Sequence, residues 1–307
     1  MANERFDAQG WELTPESDLY PKQLLGMESP PPIIYGRGDP ELLSTMCLGV
    51  VGARLATPYG LAVAEMAGRI AAESGITVVS GGARGCDASA ARGALGAGGN
   101  TIVVAGTGAD QVYPLRSRDV FEAAWSGRGA VISIEPWGTP PQPWAFPKRN
   151  VVIAGLSTAV LVCEAGQRSG TTSTALAAIE LGREVYAAPG SIYSPESTGA
   201  NELIRDGAHI VCSESDLEML ISQDFGVLRL VREEIATPKG RLLSALTANP
   251  MRPDDLANYL GLDPIETVRI LSDHEVAGLV TRMPDGRYAP TQDALLGRAR
   301  IGGQYEA

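Results

Sequence analysis

Short apolar stretches recur along the middle of the chain, and segments with helical periodicity lie between most of them. In residues 59–73, for example, Ala64, Ala67 and Ile70 share one side of a helix. Uninterrupted apolar strands that alternate with amphipathic helices are typical of a parallel sheet covered on both faces. We therefore predict an α/β fold over residues 46–222. The predicted strands are residues 48–51, 77–79, 101–105, 130–134, 159–163, 184–187 and 209–211.

Residues 1–45 lack this regular pattern. The Tyr20-Pro21 pair and the prolines at 30–32 interrupt any helix, and residues 33–35 form a candidate short edge strand. We predict an N-terminal arm that lies on the next domain.

The last part of the chain follows a different pattern again. After a linker predicted at 223–240 come three short helices, and then a hairpin around the Asp285-Gly286 turn. Three helices followed by a hairpin predict a small C-terminal winged-helix domain over 241–290, and residues 291–307 a loose tail. The predicted helices are residues 241–248, 253–260 and 265–274.

Composition limits the classes of protein that fit this pattern. With 307 residues, 44% of them hydrophobic, the chain is long enough for one large domain and a small one. No apolar run reaches the length of a spanning helix, and the N-terminus does not resemble a signal peptide, so we expect a cytoplasmic protein without membrane insertion. The four scattered cysteines fit free thiols in a reducing compartment. Two histidines, far apart in sequence, give little material for a metal site or a catalytic triad.

The net charge of −11 argues at first against a nucleic-acid partner. However, residues 1–45 and residues 213–307 each carry a net charge of −5, which leaves only −1 for residues 46–212. A local basic site in the middle of an acidic chain therefore stays open.

Glycine and arginine occur together where the predicted strands end. In a parallel sheet these carboxyl ends meet at one edge, which is where such sheets bind ligands. Glycine lets backbone N–H groups approach an anion, and arginine offers a planar fork that suits phosphate. The candidate residues after the first two strands are Gly52, Arg54, Gly81, Gly82, Arg84 and Gly85.

Residues 145–174 hold the densest set of candidates. Two basic groups and a hydroxyl-rich helix start lie within this one stretch, on either side of a buried strand. We predict that they form part of the same anion site. The candidate residues are Lys148, Arg149, Asn150, Arg168, Ser169, Gly170, Thr171 and Thr172.

Several familiar sites are absent from the sequence. There is no GxxxxGK[ST] motif, and the loop at 81–85 is not a GxGxxG fingerprint, so the chain gives no sign of a nucleotide cofactor. Asp87 and Glu164 are candidates for acid–base chemistry, but Asp87 also fits a helix N-cap and Glu164 a loop anchor. A nucleotide or phosphoribosyl hydrolase that uses these carboxylates, or a scaffold that binds partners through acidic faces, are the alternatives to an anion-binding protein.

A series of motifs then resembles the DprA/Smf family of DNA-processing proteins. Among them are SGGARGCDASAARGAL (80–95), GTGADQVYP (106–114), FPKRNVVIAGLS (146–157) and EAGQRSGTTSTALA (164–177), and the resemblance covers roughly residues 19–215. It implies a Rossmann-like domain that binds single-stranded DNA, forms a homodimer and loads the RecA recombinase during natural transformation. It implies no catalysis and no cofactor.

The residues that correspond to the DNA pocket of this family are ones that their place at the ends of the predicted strands already indicates. By this resemblance it includes Arg54, Lys148, Arg149 and the run Arg168 to Thr172, with the 81–85 loop as its neighbour. The chain has Ala53 where a serine is usual and Ala91 where a histidine is frequent.

Aromatic and acidic residues refine this hypothesis. Unstacked bases would rest on aromatic rings, and the candidates are Tyr113, Trp137, Trp144 and Phe146.

The third winged-helix segment is acidic, with Arg269 as its only arginine or lysine, whereas a helix that enters a DNA groove should be basic. We therefore expect this domain to contact protein.

Overall fold

The computed structural model describes residues 10–167, 169–227 and 240–297, and nine of its strands form one large sheet. The predicted parallel sheet is confirmed, and the seven predicted strands agree with the observed bounds to within a residue or so. In chain order the strands of this sheet are β1 (Trp11–Leu13), β2 (Ile34–Gly38), β3 (Cys47–Val51), β4 (Thr77–Ser80), β5 (Thr101–Val104), β6 (Gly129–Ser133), β7 (Ala159–Val162), β8 (Glu184–Ala187) and β9 (His209–Ile210).

The order of the strands creates a natural binding edge. The sheet runs β1-β2-β6-β5-β4-β3-β7-β8-β9, and β3 to β9 are all parallel. From β3 the chain builds outward through β4, β5 and β6, and it then returns to the other side of β3 with β7. The loops after β3 and β7 therefore diverge from a common point at their carboxyl ends, the usual ligand crevice of such sheets.

Helices cover both faces of the sheet. Alternate residues of β3 point to opposite sides: Val51 packs in a cluster with α5 (Ala145–Leu156), while Leu48 and Val50 pack in a cluster with α2 (Pro58–Glu73) and α3 (Cys86–Gly96). Among the described residues every helix is too short or too polar to cross a bilayer. The helices of this part are α1 (Lys22–Leu25), α2 (Pro58–Glu73), α3 (Cys86–Gly96), α4 (Arg118–Ala123), α5 (Ala145–Leu156), α6 (Gly170–Glu180), α7 (Thr198–Arg205) and α8 (Glu214–Phe225).

The N-terminal segment belongs to the sheet more fully than the sequence indicates. β2 pairs antiparallel with β6, and β1 pairs along the other side of β2, with Trp11 opposite Gly36. The strand predicted at 33–35 is therefore an interior strand, and the prediction of an edge strand is wrong. The reason is long-range pairing with residues 11–13, which a local pattern of three apolar residues does not reveal.

The C-terminal module contains the three predicted helices and the predicted hairpin. Buried leucines such as Leu243, Leu256 and Leu271 form its core. Residues 228–239 of the predicted linker and 298–307 of the predicted tail lie outside the described residues. The elements are α9 (Arg241–Ala248), α10 (Pro253–Leu260), α11 (Pro264–Val276), β10 (Val280–Arg282), β11 (Tyr288–Pro290) and a short α12 (Gln292–Leu295) inside the segment predicted as tail.

Helices α2 and α3 pack closely against each other. A Cβ atom on Gly68 of α2 would overlap the backbone carbonyl of Ala90 in α3, whereas one on Gly96 would meet nothing within 4 Å. Only a residue without a side chain permits this approach at Gly68.

We expect Gly68→Ala to lower the free energy of unfolding by about 1–3 kcal/mol, because the added methyl group must push the helices apart. Gly96→Ala is the matched control and should leave stability unchanged or raise it by about 0.5–1 kcal/mol. Urea denaturation of both variants measures the difference. Equal stability of the two would contradict the packing constraint.

Candidate nucleic-acid interface

The loops after β3 and β7 are joined by one carboxylate. The backbone N–H of Ala53 donates to the carbonyl of Glu164 at 2.8 Å, and the Glu164 carboxylate accepts from the backbone N–H of Thr57 at 3.1 Å and from the Thr57 hydroxyl. Thr57 is also the N-cap of α2, where it accepts from Gly60. Burial raises the pKa of Glu164, while these hydrogen bonds lower it. Glu164 thus anchors the loop that carries Arg54.

Arg54 lies at the exposed rim of this crevice, beside aromatic rings. Its guanidinium carbon is 5.3 Å from the centre of the Phe146 ring, and the Phe146 ring lies 5.8 Å from that of Tyr113. Arg54 and Tyr113 are exposed to solvent. Arg54 therefore lies against the half-buried Phe146 ring, which in turn contacts the exposed Tyr113 ring.

Arg149 lies beneath this surface rather than on it. Its side chain, on α5, is only 4% exposed, and a Cβ atom on Gly81 would coincide with its guanidinium. Within the described part of the chain, its Nε and Nη1 atoms have no hydrogen-bond partner. Burial lowers the pKa of Arg149 to about 10, against the attraction of Asp87. The sequence did not distinguish this buried cation from its exposed neighbour Lys148.

Asp87 is the carboxylate that faces this buried charge. The sequence predicts it as the N-cap of α3, but the structure shows Gly85 in that position and Asp87 inside the first turn, so the N-cap prediction is wrong. From there its carboxylate accepts the backbone N–H of Gly81 at 3.1 Å and that of Ala83 at 3.4 Å. Burial raises the pKa of Asp87, while Arg149 and the two N–H donors lower it. Asp87 therefore fixes the shape of the 81–85 loop.

The candidate glycines have a clear packing role. A Cβ atom on Gly52 would strike the Cys86 thiol, one on Gly82 would strike Val103, and one on Gly85 would strike the carbonyl of Ala53. These glycines let the chain approach itself, and Arg84 stands exposed between two of them. That these glycines also let backbone N–H groups approach a phosphate stays a prediction.

Lys148 stands exposed on the first turn of α5. Its Nζ lies 3.2 Å from the buried carboxylate of Glu135 and 5.8 Å from the centre of the Trp144 ring, which is 56% exposed. The sequence analysis does not select Glu135. Its place in the Glu-Pro-Trp-Gly run at 135–138, directly after β6, is the signal that indicates it. Lys148 and Trp144 thus place a cation beside an exposed aromatic ring.

Asn150 and the Ser-Gly-Thr-Thr turn connect α5 with α6. The Asn150 side-chain amide donates to the carbonyl of Gly170 at 3.3 Å and to Ser173 at 3.0 Å. Ser169 is the N-cap of α6 and accepts from the backbone N–H of Thr172, while Thr171 is buried. These residues therefore position the start of α6. Arg168 lies outside the described residues.

The predicted aromatic residues divide into two groups. Trp137 is half-buried, packs edge-on against Tyr35, and donates its indole N–H to Glu12. Tyr113 and Trp144 are exposed, and each stands beside Phe146 or Lys148. The site thus combines exposed cations and rings around loops that are fixed from below by Arg149, Asp87 and Glu164. Such a surface can bind the phosphates and bases of an unpaired strand.

Comparisons with known proteins give concordant results. The sequence model described as DNA recombination-mediator protein A matches residues 11–222, and that of the DprA winged helix domain matches residues 232–286. Protein Smf of Escherichia coli is 35% identical over 286 residues, which cover 88% of this chain and 75% of its own length.

Two solved structures share the fold. DNA processing protein A from Streptococcus pneumoniae superposes with a TM-score of 0.64 and 35% identity, over 68% of this chain and 73% of that one. The Helicobacter pylori protein, described for its single-stranded DNA binding mode, has a TM-score of 0.63 and 28% identity, over 71% of this chain and 99% of that one.

We expect Arg149→Met to lower the free energy of unfolding by about 2–4 kcal/mol, because it leaves the buried Asp87 carboxylate without its cation. The double variant Arg149→Met/Asp87→Asn should recover at least about 1 kcal/mol of that loss. Chemical denaturation of the two single variants and the double variant measures this coupling. Strictly additive losses would show that the two charges do not stabilise each other.

Proposed function

Because this chain belongs to the DprA/Smf family of DNA recombination-mediator proteins, we propose that it binds single-stranded DNA with little sequence preference. The strand would lie along a groove formed by Arg54, the 81–85 loop and the first turns of α5 and α6. The observation that carries the proposal is the pairing of exposed cations with aromatic rings at the carboxyl edge of the sheet, Arg54 with Phe146 and Lys148 with Trp144.

The chemistry of these groups explains why the proposed binding is not specific for sequence. Lysine and arginine neutralise phosphates and release counterions, and this contribution does not depend on the bases. Stacking of a base on Tyr113 or Trp144 is worth about 1–3 kcal/mol and tolerates every base, since each has a π face. Bases are free to stack in this way only when they are unpaired, so the groove favours a single strand over a duplex.

The family relationship supports further parts of the proposal. We propose that the protein acts in the cytoplasm as a homodimer, protects incoming single strands and loads the RecA recombinase on them during natural transformation.

The winged-helix domain would contact protein: Ile265 and Val268 of α11 are 82% and 48% exposed, and acidic Glu266 lies between them. An apolar surface with acidic neighbours suits a protein better than a phosphate backbone.

The positions of Glu164 and Asp87 do not favour the hydrolase alternative. Both carboxylates are buried and accept hydrogen bonds from the loops they hold. We expect no free base to be released when the protein is incubated with nucleoside monophosphates, as followed by chromatography. Release of base that is abolished in Glu164→Gln would instead establish the hydrolase.

We expect Arg54→Ala and Lys148→Ala each to weaken binding of oligothymidine and to reduce the slope of log affinity against log salt by about 0.7, the loss of one phosphate contact. Arg205→Ala, at the carboxyl end of α7, is the control, since it removes an exposed arginine that pairs only with Asp206 among the described residues. Fluorescence anisotropy over a range of salt concentrations measures both quantities.

Circular dichroism should show little change in thermal unfolding for these variants. Unaltered affinity of Arg54→Ala would remove that residue from the groove. Equal affinity of the unmodified protein for single-stranded and duplex oligonucleotides would contradict the proposed preference.

A further inference from the structure

A cavity opens beside Arg54 and is lined in part by residues of α2 and α3. It has a volume of about 590 Å³ and lies between the starts of α2 and α3 and the turn Leu115–Ser117. This volume is within the ordinary range for a ligand-sized cleft. We call it the arginine cavity, since Arg54, Arg84, Arg92 and Arg116 all line it.

The charges in the arginine cavity are not balanced. Its lining includes one carboxylate, Glu65, which accepts a hydrogen bond from the Gln292 side chain. Arg92 pairs with Asp119 through two hydrogen bonds of 2.7 and 2.9 Å. Arg84 and Arg116 are exposed and form no ion pair within the described part of the chain. Such an excess of guanidinium groups attracts anions, phosphates above all.

The cavity is continuous with the proposed DNA groove, because Arg54 lines both. Leu55, the next residue, also lines the cavity and is 76% exposed, an unusual exposure for a leucine beside a cluster of charges. Arginines for phosphates and an exposed apolar side chain for sugar or base are the two kinds of contact that a nucleic-acid strand makes.

The C-terminal module supplies one wall of the cavity. The Gln292 amide, on α12, donates to Glu65 of α2 and to the Ser89 hydroxyl of α3, the latter at 3.2 Å. Thr291 holds α12 to its own module, since its backbone N–H donates to the carbonyl of Leu279 at 2.9 Å. A ligand in the cavity would therefore touch both parts of the protein.

We propose that the arginine cavity binds a second stretch of the same single strand, which continues from Arg54 past Arg84 and Arg116 and along the wall formed by Gln292. This inference rests on the proposed function and extends it: the C-terminal module contributes to DNA binding through α12, not through α11. A free nucleotide offers the same phosphate chemistry and is the competing occupant.

The test compares strand lengths. We expect Arg116→Ala to weaken binding of an oligothymidine of about 20 nucleotides roughly fivefold, while an oligomer of about six nucleotides keeps its affinity. The salt slope for the long strand should fall by about 0.7, the equivalent of one phosphate. Gln292→Ala should weaken the long strand alone, by a smaller factor. Arg118→Ala removes an exposed arginine outside the cavity and is the matched control.

Each outcome separates the hypotheses. Equal loss for both strand lengths, or an equal loss in the control, would overturn the inference, because the arginines would then act through overall charge. Binding of thymidine triphosphate that Arg116→Ala abolishes, with the long strand unaffected, would assign the cavity to free nucleotides. Unchanged binding of the long strand by Arg116→Ala would overturn this inference alone. No binding of single strands by the unmodified protein would overturn the proposed function itself.

Discussion

The burial of one positive charge determines the shape of the proposed binding surface. A guanidinium group out of contact with water is costly, and Arg149 is tolerated because Asp87 faces it and lowers that cost. The same Asp87 carboxylate accepts from the backbone N–H groups of Gly81 and Ala83, so a change in this loop would also move the carboxylate that attracts Arg149. Basic residues on this protein therefore have two different tasks. Arg149 shapes the surface from below, and the exposed ones are those that we propose to meet the ligand.

Two buried carboxylates have parallel roles at the ends of β4 and β7, the two strands that flank β3. Glu164 ties the loop after β7 to the start of α2, and Asp87 ties the loop after β4 to the start of α3. Both compensate backbone donors that a glycine-rich loop would otherwise leave without partners. These hydrogen bonds restrain the backbone of the loops that carry Arg54 and Arg84. Restrained loops suit a strand of uniform backbone charge, because the protein need not adapt to the sequence of bases.

Much of the fold follows from local pattern, and much of the fine structure of the site does not. The apolar runs that form β3 to β7 are buried on both faces, so their sequence identifies them directly. Lys148 and Arg149 are adjacent and chemically alike, yet one is exposed and one buried, because α5 starts at Ala145 and turns only one of them under Gly81. Asp87 lies two residues beyond the true cap, and its carboxylate accepts from the backbone N–H groups of Gly81 and Ala83 in the preceding loop. The sequence predicts β2 as an edge strand, and this is wrong because its two partners, β1 and β6, lie far away in sequence.

The antiparallel strands β1 and β2 have a consequence for any shortened form of the protein. A fragment that begins at residue 46 would keep every parallel strand, but it would leave the backbone groups of β6 unpaired from Ala130 to Ser133. An uncovered strand of that kind is a template on which other chains can pair, and it favours aggregation. Attempts to isolate the central domain should therefore retain residues 11–38.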